Sequence, residues 1–84
     1  MKPIRFSGHA QQRMVARGTT FEEVTDTIRS TRWEPAEAGR LQCRKDFAYG
    51  QEWNGKVYAI KQVRPILVEE ADEILVVTIY VYYS

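Results

Sequence analysis

The chain has 84 residues, 44% of them hydrophobic and 27% charged, with a formal net charge of +1. That is material for one folded domain spanning residues 1–84 and one modest core, and it is too apolar for a disordered chain. No apolar run approaches the roughly 18 residues of a membrane helix, and Met1–Arg5 is not followed by a hydrophobic export signal, so no membrane association and a cytoplasmic location are expected.

The small net charge conceals a segregated pattern. Residues 1–18 carry Lys2, Arg5, Arg13 and Arg17 and no carboxylate. The next block, through Arg40, is mainly acidic, residues 41–65 are again basic, and Glu69, Glu70, Asp72 and Glu73 close the acidic turn before the last segment. Two basic blocks that meet in space form a cationic face suited to nucleic acid. The plainer alternative is that the charges pair off across the fold.

In chain order, Ile4–Phe6 reads as a short edge strand. Ser7 is an N-cap for a helix over Gly8–Arg17, which Gly18 ends. Thr20-Phe21-Glu22-Glu23 is a capping box, with Glu23 reaching back to open a second helix that runs to about Ser30. Its buried stripe is Phe21, Val24 and Ile28. From Arg32 onward the pattern is extended. Asn54-Gly55 is a type I′ hairpin signal that joins a strand of about Leu41–Trp53, bent at Gly50, to one of about Lys56–Leu67. The apolar run Ile74–Tyr83 reads as a central strand covered on both faces. The expected fold is α+β, two N-terminal helices packed on a twisted, mainly antiparallel sheet of three to four strands.

The richest stretch is the first helix. His9, Arg13 and Arg17 recur every four residues and form one stripe, with Ala10 and Met14 beside it facing the core. A proton-transfer group next to two permanent cations can handle a phosphodiester. The same pattern also serves as the solvated side of an amphipathic helix, with His9 bonded to nearby backbone and the arginines paired to Glu22 or Glu23. Cys43 is alone, so it forms no intrachain disulfide, and a buried small hydrophobe is its simplest role. One histidine, one cysteine and scattered carboxylates give no metal-ligand spacing, and no phosphate-binding glycine loop is present. No metal or other cofactor is expected.

His9-Ala10, Arg13-Met14, Arg17-Gly18, Phe21-Glu22-Glu23-Val24 and the closing Val76-Val77-Thr78-Ile79-Tyr80 together resemble a group of small bacterial domains that open H-A-x-x-R-M-x-x-R-G. These are distant relatives of the RelE, ParE and BrnT toxins. The resemblance implies a RelE-like fold, a metal-independent endoribonuclease and an antitoxin partner. Some members of that superfamily act on gyrase instead of RNA, so fold alone does not choose the activity.

RNA cleavage without metal needs a base for the 2′-hydroxyl, an acid for the leaving oxygen and cations around phosphorus. His9 is the first choice for proton transfer, with Arg13 and Tyr80 completing the catalytic set and Arg17, Lys45 and Lys61 holding RNA. For Lys45 and Lys61 the alternative is the ordinary charged outer face of a strand. Trp33 and Trp53 either stack on bases or complete the core. A non-catalytic module that binds protein or nucleic acid through the same surface is the rival function. The uncharged edge Tyr80-Val81-Tyr82-Tyr83 needs cover, from the chain's own helices, a homodimer partner or an antitoxin.

Overall fold

The signals in the first thirty residues are local, and the computed structural model, which describes all 84 residues, places both helices where those signals put them. Ser7 is extended and its Oγ accepts from the Ala10 N–H at 3.0 Å, capping α1 (Gly8–Arg17). The helix ends at Gly18, whose φ of +77° lets its N–H return to the Met14 carbonyl. Thr20 caps α2 (Phe21–Ser30) through the Glu23 N–H at 3.2 Å.

Two local expectations fail. Glu23 does not reach back to Thr20, because its carboxylate is taken by Thr19 Oγ1 and the Lys61 ammonium. Phe21 is half-exposed rather than buried. At the first position of α2 it lies at the margin of the sheet, edge-on to Phe6 with centroids 4.7 Å apart. Thr27 joins Val24 and Ile28 on the buried stripe in its place.

The sheet has six strands rather than three or four: β1 (Ile4–Phe6), β2 (Glu34–Pro35), β3 (Leu41–Gln42), β4 (Lys45–Trp53), β5 (Lys56–Glu69) and β6 (Ile74–Tyr83). The order is β1-β6-β5-β3-β2, with β4 also on β5. Only β1 and β6 run parallel. The extra strands are two-residue pairs, too short to show any periodicity in sequence. The expected strand of 41–53 divides at Cys43–Arg44. Within β4, Gly50 adopts a φ of +63° where the register shifts between Ala48 and Gln51. Asn54 and Gly55 both have positive φ, as a type I′ turn requires.

α1 lies against β6 and α2 against β5, both on one face of the sheet. The core between them holds Ala10, Met14, Val24 and Ile28 against Cys43, Val63, Leu67, Ile74, Val76 and Ile79. Burial raises the Cys43 thiol pKa, which keeps it protonated. Trp33 packs on this core and donates to the Ile28 carbonyl, while Trp53 stacks on Tyr83, so both tryptophans complete packing.

β6 departs from its expected place. It runs between β1 and β5 only along Ile74–Val76, and only one of its faces is covered. Ile66 pairs with Thr78 but Leu67 pairs with Val76, so Val77 is an extra residue, a bulge. Without it, Ile74, Val76, Thr78 and Tyr80 would share a face. With it, Ile74 and Val76 face the helices, and Thr78 and Tyr80 point to the open side. No helix is long and apolar enough to cross a membrane.

Candidate functional site

The helix-free face of the sheet is floored by residues of β5 and β6. Arg64 pairs across the strands with Tyr80, and Ile66 pairs with Thr78 on one side and Gln42 on the other. The segment Pro35–Arg40, which includes a 3-10 turn at Glu37–Gly39, rises beside this floor. Together they enclose a cavity of about 520 Å³. α1 lies on the other face beside β6, and its side chains reach the strand edge at Thr78 and Ile79.

His9 is exposed, and its Nε2 lies 3.1 Å from Thr78 Oγ1 on the cavity wall. Arg13 Nε–H donates to the same nitrogen at 3.4 Å. In the tautomer that accepts this bond, Nε2 carries the lone pair a general base requires. Arg17 turns over the strand edge. Its Nη1 donates to the Ile79 carbonyl at 2.7 Å and its guanidinium sits 5.0 Å from the Tyr80 ring centre. Tyr80 is 36% exposed and has a second cation, Arg64, at 4.8 Å. The stripe and Tyr80 are therefore brought to one place, and neither arginine pairs with Glu22 or Glu23.

Lys45 and Lys61 lie elsewhere. Both are on the helix side of the sheet, Lys61 buried and Lys45 partly exposed in a surface ion pair. Lys45 Nζ meets Asp26 Oδ2 at 2.7 Å and holds that carboxyl below its ordinary range. Lys61 is 6% exposed, 2.8 Å from Glu23, and donates to the Gly18 carbonyl at 3.0 Å. Its ammonium pins the α1–α2 turn to the sheet and is out of reach of the groove.

Two cations escaped sequence reasoning. Arg64 is bonded through Nη1 to Gln42 Oε1 at 2.7 Å and through Nη2 to the Tyr82 hydroxyl at 3.3 Å. Arg40 lines the cavity and is exposed. The parity of β5 distinguishes residue 64 from residue 61, but nothing in the sequence says which parity faces the helices.

Four of the twelve cations form ion pairs: Lys2, Arg5, Lys45 and Lys61. None of these four borders the groove. Arg40 and Arg64, which line the cavity, and Arg13 and Arg17 on α1 have no carboxylate within 4.0 Å, and neither do Arg29, Arg32, Arg44 and Lys56 elsewhere. The strand edge is partly closed from within, since Ser7 Oγ–H and Arg17 cap the carbonyls of Val77 and Ile79. No three His, Cys, Asp or Glu side chains converge as metal ligands. No family model, curated protein or solved structure matches the chain.

Proposed function

We propose that the groove on the open face is the site of a metal-independent endoribonuclease of the toxin-like kind. The observation that carries this reading is the exposed His9, bonded to Arg13 and to Thr78 on the wall of a cavity lined by Arg40 and Arg64, none of these arginines having an acidic partner. Unpaired guanidiniums gathered in one groove repel each other, and a phosphodiester relieves that repulsion. The resemblance of the opening and closing motifs to the RelE/BrnT group adds support. It also suggests an antitoxin as the natural inhibitor, and a protein that covers this groove would serve.

In this mechanism His9 Nε2 takes the proton of a ribose 2′-hydroxyl. The 2′-oxygen attacks phosphorus, the bond to the 5′-oxygen breaks, and a 2′,3′-cyclic phosphate forms. The leaving 5′-oxygen takes a proton from the Tyr80 phenol. Arg13 and Arg17 hold the phosphate oxygens as negative charge accumulates. His9 keeps its orientation through Thr78.

The test is cleavage of single-stranded RNA by the purified protein in excess EDTA, read by gel and by detection of cyclic phosphate ends. His9→Ala is expected to slow cleavage by about 10²–10⁴-fold, the usual contribution of a proton-transfer group. Its melting temperature should be unchanged, since an exposed side chain contributes within about 0.5 kcal/mol. Salt-sensitive RNA binding without cleavage would instead establish the rival function, a non-catalytic binding module. Absence of both would remove RNA from the list of partners. Induced expression in a bacterial host, followed by growth and total RNA, tests toxicity separately.

A further inference from the structure

The groove does more than present charge to a backbone. The cavity between the sheet floor and Pro35–Arg40 is walled by Pro35, Ala36, Ala38 and Ile66, four apolar residues. A phosphate gains nothing from such walls, whereas the flat, weakly hydrated faces of a nucleobase do. A volume of about 520 Å³ is ample for one base and its ribose.

The polar groups there are unevenly divided. Arg64 and Arg40 are donors only, and the single carboxylate lining the cavity is Glu37, which has no ion-pair partner. Arg64 is clamped in orientation by Gln42 and the Tyr82 hydroxyl, and the rings of Tyr80 and Tyr82 lie 4.8 and 5.7 Å from its centre. Even so it keeps unused donors. Nη1 and Nη2 each have a second N–H beyond those bonds, while Nε, also unpartnered, is fully buried and out of a ligand's reach.

We infer that this cavity is a guanine-binding subsite, a reading that rests on RNA as the substrate of the groove. Guanine alone among the four bases offers two adjacent acceptors, O6 and N7, on one edge and two adjacent donors, N1–H and the exocyclic amine, on another. Arginine N–H groups complement the first edge and the Glu37 carboxylate the second. Adenine places an amino group where the arginines need an acceptor, and pyrimidines lack N7. Glu37, Arg40 and Arg64 are thus specificity residues for the base beside the cleaved phosphate, and Thr78, shared between the cavity and His9, joins the two sites.

Binding of the nucleoside 3′-monophosphates tests this at one fixed salt concentration, with inorganic phosphate as the competitor. The guanine nucleotide is expected to bind at least about 10-fold tighter than the adenine, cytosine and uracil ones. The hypoxanthine analogue, which lacks the exocyclic amine, should fall between. Glu37→Gln, an exposed loop change expected to leave the melting temperature alone, should erase the gap between guanine and hypoxanthine. Equal binding of all four nucleotides, loss of every nucleotide to equimolar phosphate, or an intact gap in Glu37→Gln would each overturn the subsite. Mapping the cuts in a mixed-sequence RNA separates this from the parent reading. Cleavage beside all four bases equally retains the ribonuclease and removes the subsite. Selective guanine-nucleotide binding with RNA left whole does the reverse.

Discussion

Lys61 and Arg64 lie three residues apart on β5, on opposite faces of one sheet. Lys61 is buried under the helices, bonded to Glu23 and the Gly18 carbonyl. Arg64 faces the open side, held by a neutral amide and a phenol, with no carboxylate to neutralise it. The same strand therefore uses one cation to hold the fold and leaves another available to a ligand. What separates them is the covering layer: α2 brings Glu23 within bonding distance of Lys61 on one face, whereas Glu37 on the other lines the cavity without pairing with Arg64. Changes on the helix side should move stability, and changes on the open side should move ligand binding with little effect on stability.

The largest effect is expected from Lys61→Met, which strands the Glu23 carboxylate. Removing one member of a buried pair typically costs 3–5 kcal/mol, and about 3 kcal/mol fits here because Glu23 is 24% exposed. For a chain of this size the melting temperature should fall by more than about 10 °C. An unchanged melting temperature would mean that the Lys61–Glu23 pair contributes nothing to the fold.

Gly18→Ala comes next. A Cβ there would lie 2.6 Å from the Trp53 ring and 2.7 Å from the Tyr83 hydroxyl, on a backbone with φ of +77°. A loss of about 2 kcal/mol in urea unfolding is expected. A neutral result would mean that the α1–α2 turn moves freely against the hairpin.

Tyr83 gives a smaller, pH-dependent effect. Desolvation, with Tyr49 and Glu23 nearby, pushes its pKa up to about 12 from an ordinary 10. The fold thus favours the neutral phenol, which donates to the Arg17 carbonyl at 2.7 Å. That contribution is complete below pH 10 and is lost as the pH rises through about 12. Tyr83→Phe should cost about 1 kcal/mol at neutral pH and flatten the alkaline limb of a stability–pH curve. A limb as steep as the parent's would assign alkaline unfolding to other groups.

The smallest effects on stability belong to the exposed cations at the groove and its strand edge. Arg13→Gln should leave the melting temperature alone yet reduce the slope of log affinity against log salt by about 0.7, one phosphate contact on a single strand. Lys45→Gln, on the helix side, should leave the slope unchanged. Equal slopes in both variants would erase the distinction between the two faces.

Much of the fold was legible in local chemistry. The Ser7 and Thr20 caps, the Gly18 terminus, the Asn54-Gly55 turn and the Gly50 irregularity depend on a few neighbouring residues, and such preferences survive in any context. The same locality made the stripe His9, Arg13 and Arg17 visible, because helical spacing alone aligns those side chains. The side on which Lys45 and Lys61 lie was not legible, because alternation in a strand says that two faces exist without naming the covered one.

The site as a whole was decided by tertiary structure. One extra residue at Val77 turns Thr78 and Tyr80 away from the face that Ile74 and Val76 occupy. The pairs β2–β3 and β3–β5 carry the Pro35–Arg40 segment over Ile66 and so place Glu37 and Arg40 beside Arg64. These outcomes depend on partners distant in sequence and on which register buries the most apolar area. The sequence by itself determined the two helices, the hairpin and the cationic stripe. Packing decided which cations were neutralised, because a charge is paired or left free by what the rest of the chain brings within reach.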